Sequence, residues 1–382
     1  MRPKLVFLII IQILIVFPGR GNNYTSSPEF PLVPIDTINL DFSVSMSKSI
    51  FVPEYYTQVN YYFTEINEQL YFIYSIDSIK PTTIFKLQGL LTSFYCLNKD
   101  SLIVNYPNSD QYLLINNKSE IIDTFYFDFS KIYGEKKIPW TFLNLFSNKN
   151  KNGEYFLYFQ TTIPSLHNYQ RSLDSRIKLF SEPILSCYKF SGNCIKIEKG
   201  IGKYPDKFKS LDGMYNYIYH VSLNRNLDFI FSFYELDSLS IYSNGEMKSK
   251  YLNSKFKTKE IKYKKNIDDY DLTEYEENSS KTVGYLNHYY DSYRDQYYII
   301  VKKQYPYENE DGTYNKPEDA PWSILILNDK FEKVDEIDMP NHLRKQGFFI
   351  VPEGIAIQDK ILTDQNSGNS VLVLYKIKNY NL

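Results

Sequence analysis

The chain has 382 residues, of which 37 are Tyr and 26 Phe, with 23% charged residues and a formal net charge of −2. So many aromatics exclude a disordered chain and suit the half-buried face of a pleated sheet. Balanced charge, 43 Lys and Arg against 45 Asp and Glu, removes the electrostatic footprint of a nucleic-acid binder, so no nucleic-acid partner is expected.

In chain order, Arg2 and Lys4 precede an apolar run from Leu5 to Phe17, closed by Pro18 and Gly19-Arg20-Gly21. This predicts a signal peptide over 1–21 and an exported protein, periplasmic or extracellular and associated with the cell envelope. The apolar run is shorter than the roughly 20 residues that span a bilayer. No cysteine precedes Cys96, so the only membrane tether open to the chain is an uncut signal. Residues 22–34 read as a polar leader and 35–382 as a single domain.

Strand signals then follow in six groups. Tyr61–Phe63, Gln69–Tyr74 and Thr83–Leu87 form the first; Ser101–Val104, Tyr112–Ile115 and Ile121–Phe125 the second. Glu154–Phe159, Ile184–Cys187 and Cys194–Ile197 form the third, and Leu227–Phe233 opens the fourth. Gln296–Val301, Trp322–Leu327 and Val334–Ile337 form the fifth; Gly354–Ile357, Lys360–Leu362 and Val371–Tyr375 the sixth. Hairpins close at small polar turns, Ile115–Glu120, Phe190–Cys194, Tyr242–Glu246 and Leu327–Glu332. Leu102 stands 13 residues before Ile115, and Phe229 stands 13 before Tyr242, so two of the units have equal length. Equal units with unequal linkers predict an all-β, six-bladed β-propeller, with Asp36–Phe42 closing the last blade. A pair of β-sandwiches is the structural alternative.

Of three cysteines, Cys96 sits in an apolar run and reads as a small buried hydrophobe. Whether Cys187 and Cys194 bond depends on register. A four-residue loop sets them opposite each other, and a three-residue loop sets Cys187 opposite Ile195.

Four dispersed histidines offer no metal-ligand spacing, and neither a metal nor a cofactor is expected. The acidic loop Glu308–Asn315 lacks the calcium-loop order of ligands and reads as a solvated insertion. Lysines crowd 248–265 and carboxylates follow to Glu277, a self-compensating connection or a partner-binding arm. The densest candidate site is Tyr285–Tyr298, where a His, two Asp and an Arg stand among aromatics. His288, Tyr289, Tyr290, Asp291, Arg294 and Tyr297, with Trp322 and His220, are the expected ligand contacts. Such a set can stack on a sugar ring or hold a carboxylate. The structural alternative has Asp291 capping a turn and Arg294 paired to a neighbouring blade.

Tyr290–Tyr298, Trp322–Phe331, Ser249-Lys250-Tyr251 and Glu353-Gly354 resemble an uncharacterised family of exported Bacteroidetes proteins similar to six-bladed propellers. The family often has an arginine where this chain has Ile299, and often a lipoprotein cysteine, absent here. The resemblance implies the fold and supplies no activity. The expectation is therefore a monomeric, non-catalytic propeller binding a glycan or peptide. The alternatives are a propeller enzyme using Asp291 with His220 or His288, and a structural partner in an envelope assembly.

Overall fold

The computed structural model describes residues 32–40, the strands between 46 and 160 with the turn at 118–120, residues 174, 177, 180–191 and 194–209, and then 219–258, 272–366 and 369–377. The signal and most of the leader lie outside the described residues. The fold is all-β, and the described strands form six four-stranded antiparallel sheets. Strand β1 (Leu32–Asn39) comes first in sequence and joins the last sheet. The first sheet is β2 (Met46–Val52), β3 (Thr57–Ile66), β4 (Gln69–Ser75) and β5 (Thr82–Gln88), and the second is β6 (Ser93–Asn98), β7 (Ser101–Asn105), β8 (Gln111–Asn116) and β9 (Ile121–Tyr126). The third is β10 (Phe146–Lys149), β11 (Tyr155–Gln160), β12 (Pro183–Ser191) and β13 (Cys194–Lys203). The fourth is β14 (Tyr219–Leu223), β15 (Phe229–Phe233), β16 (Ser238–Ser243) and β17 (Glu246–Tyr251), and the fifth is β18 (Gly284–Asp291), β19 (Gln296–Lys302), β20 (Trp322–Leu327) and β21 (Lys333–Met339). The sixth runs β22 (Leu343–Val351), β23 (Gly354–Asp359), β24 (Val371–Ile377) and then β1.

Apart from β1, which adds beside β24, each sheet follows chain order, so consecutive strands within a sheet are antiparallel neighbours. First strands lie together: β14 touches β18, β2 touches β22, and β6 touches β10. The equal 13-residue units have a direct cause, since Leu102 is the cross-strand partner of Ile115 and Phe229 that of Tyr242.

Sheets stack face to face through apolar side chains. Along β19, Tyr298 and Ile300 pack towards the sixth sheet, while Tyr297, Ile299 and Val301 pack towards the fourth. On β20, Trp322, Ile324 and Ile326 take the first side and Leu325 and Leu327 the second. Burial on both faces turns the alternating pattern of a strand into an unbroken apolar run.

The turns are built on asparagine. At Asn116–Glu120, Asn224–Asp228 and Asn328–Glu332 the side-chain carbonyl accepts two backbone N–H groups, and the side-chain amide reaches the carboxylate four residues on. The residue before that acid has positive φ: Ser119 at 63°, Leu227 at 63° and Phe331 at 61°. This is a type I turn followed by a left-handed residue, with the asparagine side chain holding it shut. Asn244-Gly245 makes the two-residue alternative, with φ of 50° and 88°. The acidic loop closes on itself in a related way, Glu308 bridging Tyr314 and the Asp311 carboxylate accepting from Thr313.

Four expectations need correction. The N-terminal strand covers Leu32–Asn39, not Asp36–Phe42, and so begins inside the leader. Pro34 is admitted because β1 is an edge strand, and the register shifts between Pro34 and Asp36. Lys360–Leu362 belong to a helix (Lys360–Gln365), because Asp359 caps it by accepting from the Leu362 N–H at 3.0 Å. In the Cys187 hairpin, Ser191 opposes Cys194 and Cys187 opposes Lys199, so neither expected register forms, and Cys187 is buried and makes no disulfide. Finally, the first strand of each sheet is largely absent from the sequence reading, in which Gln296–Val301 comes first in the fifth group; β18 precedes it. The side chain of Cys96 lies outside the described residues.

Gly354 lies against β24, where a Cβ would stand 1.9 Å from the Tyr375 carbonyl oxygen. Gly354→Ala is expected to cost on the order of 3 kcal/mol, since the obstacle is backbone and not a movable side chain. Denaturant unfolding measures it.

Candidate functional site

Three turns between first and second strands lie side by side and are linked. Asn224 donates to the Tyr297 hydroxyl at 3.0 Å, and Arg225 donates to the Ser292 carbonyl, joining the fourth sheet to the fifth. Arg294 joins the fifth to the sixth: its guanidinium donates to the carbonyls of Val351 (3.0 Å) and Pro352 (2.7 Å) and to the Asp291 carboxylate at 2.5 Å. Asp291 is 0% exposed. It also accepts from the Tyr298 hydroxyl at 2.7 Å and from the backbone N–H groups of Tyr293 and Arg294. The Asp291 charge holds the Arg294 guanidinium protonated against the effect of burial, and burial with the same carboxylate pushes the Tyr298 phenol well up.

The other expected contacts are packing groups too. Tyr289 stacks on Phe348 with centroids 4.9 Å apart, Tyr290 donates to Asp295 at 2.7 Å, and Trp322 donates to the Leu343 carbonyl at 3.0 Å. The set expected to form a ligand platform is instead the joint between the fourth, fifth and sixth sheets. Its aromatics are buried because each lies on a strand with sheets against both faces.

The structure does bring His220 and His288 together. His220 pairs with Ser232 across β14 and β15, and the Ser232 hydroxyl is 2.8 Å from Nδ1 of His288. Burial first, then the neighbouring His220, lowers the His288 pKa to about 3, against an opposing pull from the Ile230 carbonyl. His288 is therefore neutral. Its Nε2 and the Ser222 hydroxyl have no hydrogen-bond partner among the described residues. Ser232 is fully buried, so a hydroxyl beside an imidazole is present without a path for substrate.

An accessible concavity lies elsewhere. A groove of about 560 Å³ runs between the end of β13 and the outer half of the fourth sheet. Near the first strands that interface is filled by Phe229, Phe231, Phe233, Ile184 and Ile201. Farther out the matching positions are Ser238, Ser240 and Ser249, too small to fill it, and Ser240 pairs directly with Ser249. One wall is stiffened by aromatic edges, Phe180 on Phe208 at 5.4 Å and Phe208 on Phe233 at 5.1 Å. Tyr251, 53% exposed, stands at the rim among lysines. The sequence analysis did not single out this groove. Its signal was the alternation Ser238-Leu239-Ser240-Ile241, one apolar face and one hydroxyl face, in a sheet whose neighbours are apolar on both.

Among the described residues no group of three or more His, Cys, Asp or Glu could hold a metal, and no helix is long and apolar enough to cross a membrane. No protein-family model matches the chain, and no curated protein matches its sequence. Among solved structures, it is similar to a member of the DUF4221 family from Bacteroides vulgatus, with TM-score 0.66 and 16% identity over 91% of this chain and 98% of that one. At that identity the likeness is one of fold. A protein of unknown function from Bacteroides caccae (TM-score 0.36, 10% identity, 80% and 94% coverage) and the calcium-binding protein regucalcin from Agrobacterium tumefaciens (TM-score 0.37, 8% identity, 92% and 96% coverage) also align.

Removing Arg294 leaves a buried carboxylate without its cation, so Arg294→Ala is expected to cost about 3 to 5 kcal/mol. Arg294→Lys should restore only part of this, because one ammonium replaces a planar fork that reaches three oxygens. Chemical denaturation of both variants decides it, and a loss under 1 kcal/mol would refute the joint.

His288 has a folded pKa below its unfolded value near 6.5, so the unfolded chain binds more protons between those values. Its contribution is fully present above pH 6.5 and is lost as pH falls towards 3. In His288→Gln the stability lost between pH 6.5 and 4 should shrink relative to wild type, as measured by unfolding at a series of pH values.

Proposed function

We propose that this chain is an exported six-bladed β-propeller, closed by β1 on β24, that binds a glycan or peptide at the cell envelope without transforming it. It would belong with the uncharacterised Bacteroidetes proteins that share its fold. Six chain-ordered sheets, first strands gathered together and an N-terminal strand completing the last sheet support the architecture.

The observation that carries the binding reading is the groove between the third and fourth sheets. Its floor of hydroxyls interrupts an otherwise apolar interface, and a 560 Å³ space suits a few sugar rings or residues. The enzyme reading has less support. Asp291 is committed to Arg294 and Tyr298 in a turn, whereas His288 is neutral within an interface, so acid and base do not share an open site.

Ser240 is 8% exposed and lines the groove, so Ser240→Phe should fill it. Glycan and peptide arrays probed with the mature chain are expected to give hits that this variant loses while its melting temperature stays within a few degrees. Hits retained by a folded Ser240→Phe would move the site away from the groove.

A further inference from the structure

The charges of the groove are not evenly committed. Asp206 is paired with Lys209 at 3.0 Å. Asp237 accepts from the Tyr285 hydroxyl at 2.9 Å and from the Thr258 N–H at 3.0 Å. By contrast Lys203 on one wall is exposed and has no ion-pair partner among the described residues. Lys257 adds a second exposed cation near the rim, its ammonium 5.9 Å from the centroid of the Tyr251 ring. On the floor Ser238, Ser240 and Ser249 make no side-chain hydrogen bond to the described residues, so their hydroxyls are available to a ligand.

An exposed cation on one wall and a second near the rim call for an anionic ligand, hydroxyls on the floor call for one rich in hydroxyls, and an exposed tyrosine at the rim offers a stacking face. An acidic peptide would satisfy the first of these alone. We propose that the groove binds an acidic oligosaccharide, with Lys203 and Lys257 holding its carboxylate or sulfate groups, the three serines hydrogen-bonding ring hydroxyls and Tyr251 stacking on a sugar face. The assignment rests on the groove being the binding site and adds to it the class of ligand.

The test is an array in which each carboxylated or sulfated oligosaccharide is matched by its methyl-esterified or desulfated counterpart, with glutamate-rich peptides of equal charge alongside. The full mature chain is expected to bind charged sugars at least about tenfold more tightly than their neutral counterparts and than the peptides. Binding should weaken with salt, as contacts between exposed charges do. Lys203→Ala and Lys257→Ala should each weaken binding several-fold, and together remove the preference for the charged member. Tyr251→Ala should weaken binding of charged and neutral sugars alike. Equal binding of both members of each pair, lost in Ser240→Phe, would overturn the acidic class and leave the groove as a glycan site. Peptides binding as well as charged sugars would show that charge alone is read, which also overturns it. No hits at all, or hits indifferent to Ser240→Phe, would bring down the underlying reading together with this one.

Discussion

The constraint that shapes this molecule is that a sheet in the stack has no solvent face. A lone antiparallel sheet hides one side and wets the other, and its strands alternate accordingly. Here the fifth sheet packs on the fourth through Ile299, Val301 and Leu325 and on the sixth through Tyr298, Ile300 and Ile324. Polar residues therefore concentrate at strand ends, in turns and on outer strands. That explains why the turns are so strongly specified: with both faces apolar, a strand slipped by one residue would still bury hydrophobes, so register needs a second determinant. The asparagine turns supply it, fixing the loop length by a side chain that satisfies two backbone donors at once.

Burial on both faces makes every polar group inside the stack expensive unless it is paired, and the pairs that exist join sheets. The carboxylate of Glu336 on β21 receives the Ser254 hydroxyl at 2.7 Å and the Lys255 N–H at 2.6 Å, tying the segment after β17 to the fifth sheet. Lys302 and Lys345 show the same economy with cations. The first donates to the carbonyls of Ser279 and Thr282 beside the helix Leu272–Ser280, the second to those of Pro317 and Glu318. Burial lowers both pKa values to about 8; the charge of Lys345 lowers that of Lys302 further, while Glu318 and Asp319 pull that of Lys345 upward. These ammonium groups fasten two insertions onto the stack by the backbone carbonyls at their ends.

How much of this was legible in the sequence follows from the same physics. Second and third strands were readable because they are buried on both sides: Tyr297–Val301 and Val371–Tyr375 are apolar throughout, and Trp322–Leu327 is apolar apart from Ser323. First strands were not. His220 and Ser222 interrupt β14, Asn287 and His288 interrupt β18, and Arg344 to Gln346 interrupt β22, each breaking the run by which a strand is recognised. The Lys360 helix was mistaken for a strand because Ile361 and Leu362 are apolar, and only the Asp359 cap distinguishes it. The expected site failed for a related reason. A dense cluster of charged and aromatic residues looks alike in sequence whether it faces a ligand or a neighbouring sheet, and the partners of Arg294, Val351 and Pro352, are backbone carbonyls that composition cannot reveal.

The groove is the converse case, a site marked by what is missing. Position for position, Ser240 and Ser249 sit on the face where Phe229 and Phe231 fill the interface a strand or two inward. Larger apolar side chains there would bury more surface and strengthen contact between the third and fourth sheets. The sheet forgoes that stabilisation at three positions on one face, while Leu239 and Ile241, alternating with two of the serines on β16, remain buried on the other. A general weakening of the strand would have touched both faces. Confinement to the face that meets the aromatic wall of Phe180, Phe208 and Phe233 leaves a space with a rigid back, a hydroxyl floor and a lysine rim. An interface that held only for stability would close this space, and the proposed ligand site depends on its staying open.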